Sequence, residues 1–130
     1  MHFWLPKDAV KEHFDGGFAK NGFLERRSSM SDLIAAVATP PGTGGVGILR
    51  LSGPGAAQAA ARVFRPKGTR ALPDAPDRQL LYGTLLDQAG QALDTGLAFV
   101  SRAPHSYTGE ETAELQCHGS PMVLSLVLDA

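Results

Sequence analysis

The sequence predicts an α+β domain in which helices pack on one face of a largely antiparallel sheet. Three observations point to it: short runs of β-branched and apolar residues recur along the chain, hairpin-type turns separate them, and helical spacing is confined to two stretches beyond residue 30. At 130 residues the chain suits one domain, able to bury roughly two-thirds of the surface its unfolded form exposes.

Residues 1–29 mix Phe3, Trp4, Phe14, Phe18 and Phe23 with charges and three glycines, and neither helical nor strand periodicity persists through them. They are read as an N-terminal extension. One expectation is that translation naturally starts at Met30, which leaves residues 30–130 as the domain. Residues 34–39 form a short apolar run ended by Pro40, Pro41 and a glycine cluster, and 46–52 resumes as a second strand. An alanine-rich stretch, 55–64, places Ala56, Ala60, Val63 and Phe64 at helical spacing behind Pro54, which suits a first helical position. Residues 66–77 hold three prolines and read as a loop. Strands are expected at 80–86 and 93–100, joined through Asp87-Gln88-Ala89-Gly90 as an antiparallel hairpin. After a polar loop, 102–111, Ala113, Leu115 and Cys117 alternate with Thr112, Glu114, Gln116 and His118. One face of that strand is apolar and the other carries chemistry. Ser120-Pro121 is a helix start, and 122–128 is strongly apolar. The expected total is five strands and two helices.

Composition narrows the function classes. With 43% hydrophobic residues, 19% charged residues and a formal net charge of -1, the chain has no basic excess for gripping phosphates, so nucleic acid is not an expected partner of this piece alone. The one cysteine, Cys117, cannot form an internal disulfide, and no run reaches the ~18 apolar residues of a membrane span. A cytoplasmic protein with no membrane contact is expected. No His, Cys and carboxylate cluster has metal-site spacing, so no metal is assigned.

Gly42-Thr43-Gly44-Gly45-Val46-Gly47 spells the dinucleotide fingerprint G-x-G-x-x-G, but a strand, not a helix N-terminus, follows it, and no acid occurs between Asp32 and Asp74 to hold a ribose. A Rossmann site is rejected. No G-x-x-x-x-G-K-[ST] string is present, so no GTP site is expected in these residues. The glycines have two readings, a tight turn or a small-residue floor that lets a flat ligand approach the backbone. Arg50 shares a strand face with Val46, Ile48 and Ser52 and needs an anionic partner, internal or on a ligand. Glu114 and His118 share a face but stand roughly 13 Å apart at ~3.3 Å per residue. From these residues alone an ion pair with Arg50 is favoured for Glu114, and a hydrogen bond to the neighbouring turn for His118. Cys117 points away from His118 and is read as buried and inert, not as half of a catalytic dyad. Thr108 and Glu111 match the spacing of a capping box.

Two strings carry more than a generic domain would: ATPPGTGGVGILRLSG at 38–53 and APHSYTGEETAELQCHG at 103–119. Both resemble, in order and spacing, the N-terminal domain of the tRNA-modification GTPase MnmE (TrmE) family. The resemblance implies a fold like the folate-binding domain of aminomethyltransferase-like proteins, a tetrahydrofolate derivative (5-formyl- or 5,10-methylene-tetrahydrofolate) as cofactor, and a homodimer formed through this domain. It implies folate contacts from Arg50 and Glu114, and at a lower level from Gly44, Gly45 and His118, with no catalytic residue in this chain. In that family the full enzyme works with an FAD-dependent MnmG-type protein on C5 of the wobble uridine of tRNA. The resemblance stops shortly after Gly119. A further folate-contacting lysine, the helical and GTPase domains and a C-terminal cysteine motif have no counterpart here, so this chain is expected not to be catalytic alone. A stand-alone protein that pairs with full-length MnmE, or an inert truncated product, are the alternative expectations.

Overall fold

The computed structural model describes residues 32–130, so the expectations for residues 1–29 and for a start at Met30 lie outside the described residues. Six strands form one sheet: β1 (Ile34–Val37), β2 (Gly44–Ser52), β3 (Phe64–Pro66), β4 (Leu81–Leu86), β5 (Ala92–Ser101) and β6 (Thr112–Gly119), in the order β1-β2-β6-β5-β4-β3. Every neighbouring pair is antiparallel. Two α-helices, α1 (Ala56–Arg62) and α2 (Pro121–Asp129), and a 3-10 turn at Leu72–Asp74 complete the described elements. Residues 32–130 therefore build a mixed domain with a six-stranded antiparallel sheet and two helices.

The alternation in β6 does what its period requires. Ala113, Leu115 and Cys117 are buried beside Leu49 and Leu51 of β2, and together they meet Ala56, Ala57 and Ala60 of α1 and Leu124 and Val127 of α2. Both helices thus cover the same face of the sheet, as expected. The opposite face of β2 and β6 carries Arg50, Ser52, Thr112 and Glu114.

Two corrections concern the middle of the chain. The helical pattern does not run to Phe64: α1 ends at Arg62, and Phe64-Arg65-Pro66 turns outward as β3, pairing with Leu85, Thr84 and Gly83. Phe64 is fully buried there, and Gly83 makes room, since a Cβ at that position would lie 2.6 Å from the Phe64 ring. A proline can end such a strand because β3 is the sheet edge, where a missing N–H breaks no ladder. The proline-rich loop also holds the 3-10 turn, whose Leu72 is fully buried.

The turns are closer to expectation. Asp87 Oδ1 accepts from the amides of Ala89 and Gln91, and Gly90 adopts φ 80°, which closes the β4–β5 hairpin. Ser120 caps α2 by accepting from Val123 N, with Pro121 in the first turn. Pro54 does not open α1: the cap residue is Gly55, at φ 81°, and it offers no side chain.

Candidate functional site

The site face is assembled by register. Arg50 of β2 stands opposite Glu114 of β6, which stands opposite Phe99 of β5. Arg50 Nε donates to Glu114 Oε2 at 3.0 Å, and Nη2 approaches the same oxygen at 2.9 Å. With side chains only 12% and 9% exposed, the pair is largely removed from water. The Arg50 guanidinium also sits 4.7 Å from the centre of the Tyr107 ring, a cation–π geometry.

Tyr107 belongs to the loop between β5 and β6, and a hydrogen-bonded frame sets that loop. The buried hydroxyls of Ser52 and Thr108 lie 2.7 Å apart, and Thr108 Oγ1 accepts from Glu110 N. Glu111 does not complete a capping box with Thr108. Its Oε2 instead accepts from Ala57 N, supplying the cap that Gly55 cannot, and its Oε1 accepts from Arg102 Nη1. Arg102 Nη2 in turn donates to the carbonyls of Pro73 and Ala75. The loop is thereby tied to α1 and to the 3-10 turn at once.

Between this loop and the sheet opens a cleft of about 670 Å³, lined by Phe99, Tyr107, Thr112, Glu114 and Arg78 among others. That size lies within the range of small-molecule sites. Glu114 forms part of its floor, while Arg50 stands behind, joined to the cleft through Glu114 and Tyr107. The Tyr107 side of the cleft is open, with the residue 82% exposed, so a flat ring could lie on it.

The five residues singled out in the sequence fall in two places. Arg50 and Glu114 meet at the cleft. Gly44, Gly45 and His118 lie at the other end of their strands, where Gly44 is paired with Gly119, six residues or roughly 20 Å from Arg50 along β2. From Gly44 onward the glycine run is strand, with no helix behind it, in keeping with rejection of the dinucleotide fingerprint. The His118 ring does not bond a neighbouring turn. Nδ1 lies 2.9 Å from Asp94 Oδ1, and the His118 amide donates to Asp94 Oδ2. Partial burial pushes the Asp94 carboxyl upward, but hydrogen bonds from the His118 amide and ring and from the Thr95 amide outweigh it and hold it below the ordinary aspartate value. Cys117 is buried, its thiol pushed up to about 11 by desolvation and by the nearby Asp94 charge, which keeps it protonated and unreactive at neutral pH.

Sequence reasoning did not assign roles to Phe99, Tyr107 or Arg78. Tyr107 was within reach, as an aromatic residue in a motif loop. Arg78 gave no signal at all, because only the chain path through the 3-10 turn brings it to the cleft.

Among the described residues no helix is long and apolar enough to cross a membrane. Residues 33–130 match the family model described as GTP-binding protein TrmE N-terminus. The chain is 46% identical over 98 residues to the tRNA modification GTPase MnmE of Symbiobacterium thermophilum, an alignment covering 75% of this chain and 21% of that protein. It is 46% identical over 101 residues to the protein of the same name from Carboxydothermus hydrogenoformans, covering 77% and 22%, and 50% identical over 97 residues to that of Thiobacillus denitrificans, covering 75% and 20%. It thus spans about a fifth of the length of the curated relatives it matches. The two motif strings lie on adjacent strands, β2 and β6 with its leading loop, inside the matched region. The chain belongs to the GTP-binding protein TrmE N-terminus family.

Proposed function

We propose that the cleft binds the pterin of a tetrahydrofolate derivative, 5-formyl- or 5,10-methylene-tetrahydrofolate, and that the chain is the folate-holding module of a tRNA-modification GTPase. The observation that carries this is the Glu114 carboxylate on the floor of the cleft, oriented through Oε2 by Arg50 and flanked by Phe99 and Tyr107. A pterin is a flat ring with N–H donors along one edge. A fixed carboxylate can accept from those donors, and an aromatic side chain at the mouth offers a stacking surface. Arg50 holds the carboxylate in place through Nε and Nη2 and, once ligand shares it, can turn donors toward ligand oxygens.

When bound, the folate supplies a one-carbon unit. On this reading the chain's own residues bind and orient that donor, and the unit goes to C5 of the tRNA wobble uridine in the context of the longer enzyme, a homodimer acting with an FAD-dependent MnmG-type protein in the cytoplasm. GTP hydrolysis belongs to parts of that enzyme outside this family region.

Calorimetric titration with 5-formyltetrahydrofolate tests the proposal. Saturable binding is expected for the natural chain and a loss of at least tenfold for Glu114→Gln, which keeps shape and removes the charge. A folded protein that binds no folate, or a Glu114→Gln variant of unchanged affinity, would overturn it.

A further inference from the structure

The wall of the cleft facing away from β2 carries a second charge. Arg78 sits ahead of β4 with φ 58°, the left-handed region that arginine seldom occupies. Its conformation is over-determined. Arg78 N donates to Val100 O at 2.7 Å, Nη1 donates to His105 O at 3.2 Å, and Nη2 pairs with Asp77 Oδ2 at 3.1 Å. Asp77 is itself fixed, since its Oδ1 accepts from Arg102 N. Held backbone outliers of this kind gather where a side chain must be presented in one direction.

What is presented is a cation. The Arg78 side chain is 58% exposed and lines the same cleft as Glu114 and Tyr107. Two of its five N–H donors are accounted for by His105 and Asp77, and an exposed pair such as Arg78–Asp77 is weak enough to share its cation with an incoming anion. The cleft is thus bipolar, with a carboxylate on its floor and a guanidinium on its wall. A ligand that fills both has an N–H-rich head and an anionic tail.

We propose that Arg78 is the specificity-determining residue of the cleft, binding the carboxylates of the ligand's glutamate tail while Glu114 takes its pterin head. This inference rests on the folate reading above and adds to it the direction in which the ligand lies. It also predicts discrimination between ligands with and without the tail, because the guanidinium fork matches a carboxylate and has nothing to hold on a bare pterin.

The test titrates the natural chain, Arg78→Gly and Arg78→Lys with 5-formyltetrahydrofolate and with tetrahydrobiopterin, which lacks the glutamate tail. Glycine suits the positive φ, so Arg78→Gly removes the guanidinium while easing the backbone, and circular dichroism checks that it folds. Expected is about a tenfold loss of folate affinity in Arg78→Gly, partial retention in Arg78→Lys, and unchanged tetrahydrobiopterin affinity in both. Equal losses for the two ligands would reduce Arg78 to a support for the loop through His105 and overturn the proposal. So would unchanged folate affinity. A natural chain that binds neither ligand would overturn the folate reading itself.

Discussion

Replacing Arg50 with methionine leaves the Glu114 carboxylate on a face where its side chain is 9% exposed, without the guanidinium that supplies contacts of 3.0 and 2.9 Å to Oε2. Removing one partner of a buried pair typically costs 3–5 kcal/mol, and the residual exposure of both side chains places Arg50→Met near the lower end, about 3 kcal/mol. Glu114→Gln costs less, about 2 kcal/mol, because Arg50 keeps its position over the Tyr107 ring and an amide oxygen can still accept from it. The double variant buries no unpaired charge. It is therefore expected to lose about 2 kcal/mol less than the sum of the two single losses, a coupling well outside the ~0.5 kcal/mol scatter of independent sites. Urea unfolding at pH 7, followed by far-UV circular dichroism for the natural chain and the three variants, measures this directly. Single losses that simply add would refute the ion pair as an energetic unit, and with it the idea that Arg50 holds Glu114 in position.

Two further outcomes follow from the frame around the cleft. Glu111→Ala removes both the amide cap of α1 at Ala57 and the bond to Arg102, and should lower stability by about 1–2 kcal/mol while increasing hydrogen exchange at Ala57; unchanged exchange there would show that the cap carries no energy. Asp94→Asn should destabilise by about 1 kcal/mol at pH 7. Because the folded carboxyl lies below its unfolded value of about 3.9, its contribution is present above that pH and fades as pH falls through the lower folded value, so urea midpoints of the two proteins should converge in acid; a gap that persists at pH 2 would contradict the hydrogen bonds from His118 and Thr95.

The sequence by itself determined the elements whose signals are local. Period-two alternation placed Ala113, Leu115 and Cys117 inward and Glu114 on the other face; Asp87 to Gly90 closed a hairpin; Ser120-Pro121 began a helix. The strand that follows Gly42 to Gly47 excluded a dinucleotide site, and the need of Arg50 for an anion pointed to Glu114 across 64 positions. Tertiary structure decided the rest. Phe64 looked helical because Ala56, Ala60 and Val63 precede it at the right spacing, but a sheet edge beside Gly83 offered it a deeper berth. Glu111 looked like a partner for Thr108 three residues away, yet α1, with glycine at its cap, offered an unsatisfied amide at Ala57. Arg78 came to the cleft, and Gly44, Gly45 and His118 stayed at its far end, through register and chain path alone. Alternation and turn chemistry act over a few residues and can be read from them, whereas which buried group finds which partner depends on distances that exist only once the chain has folded.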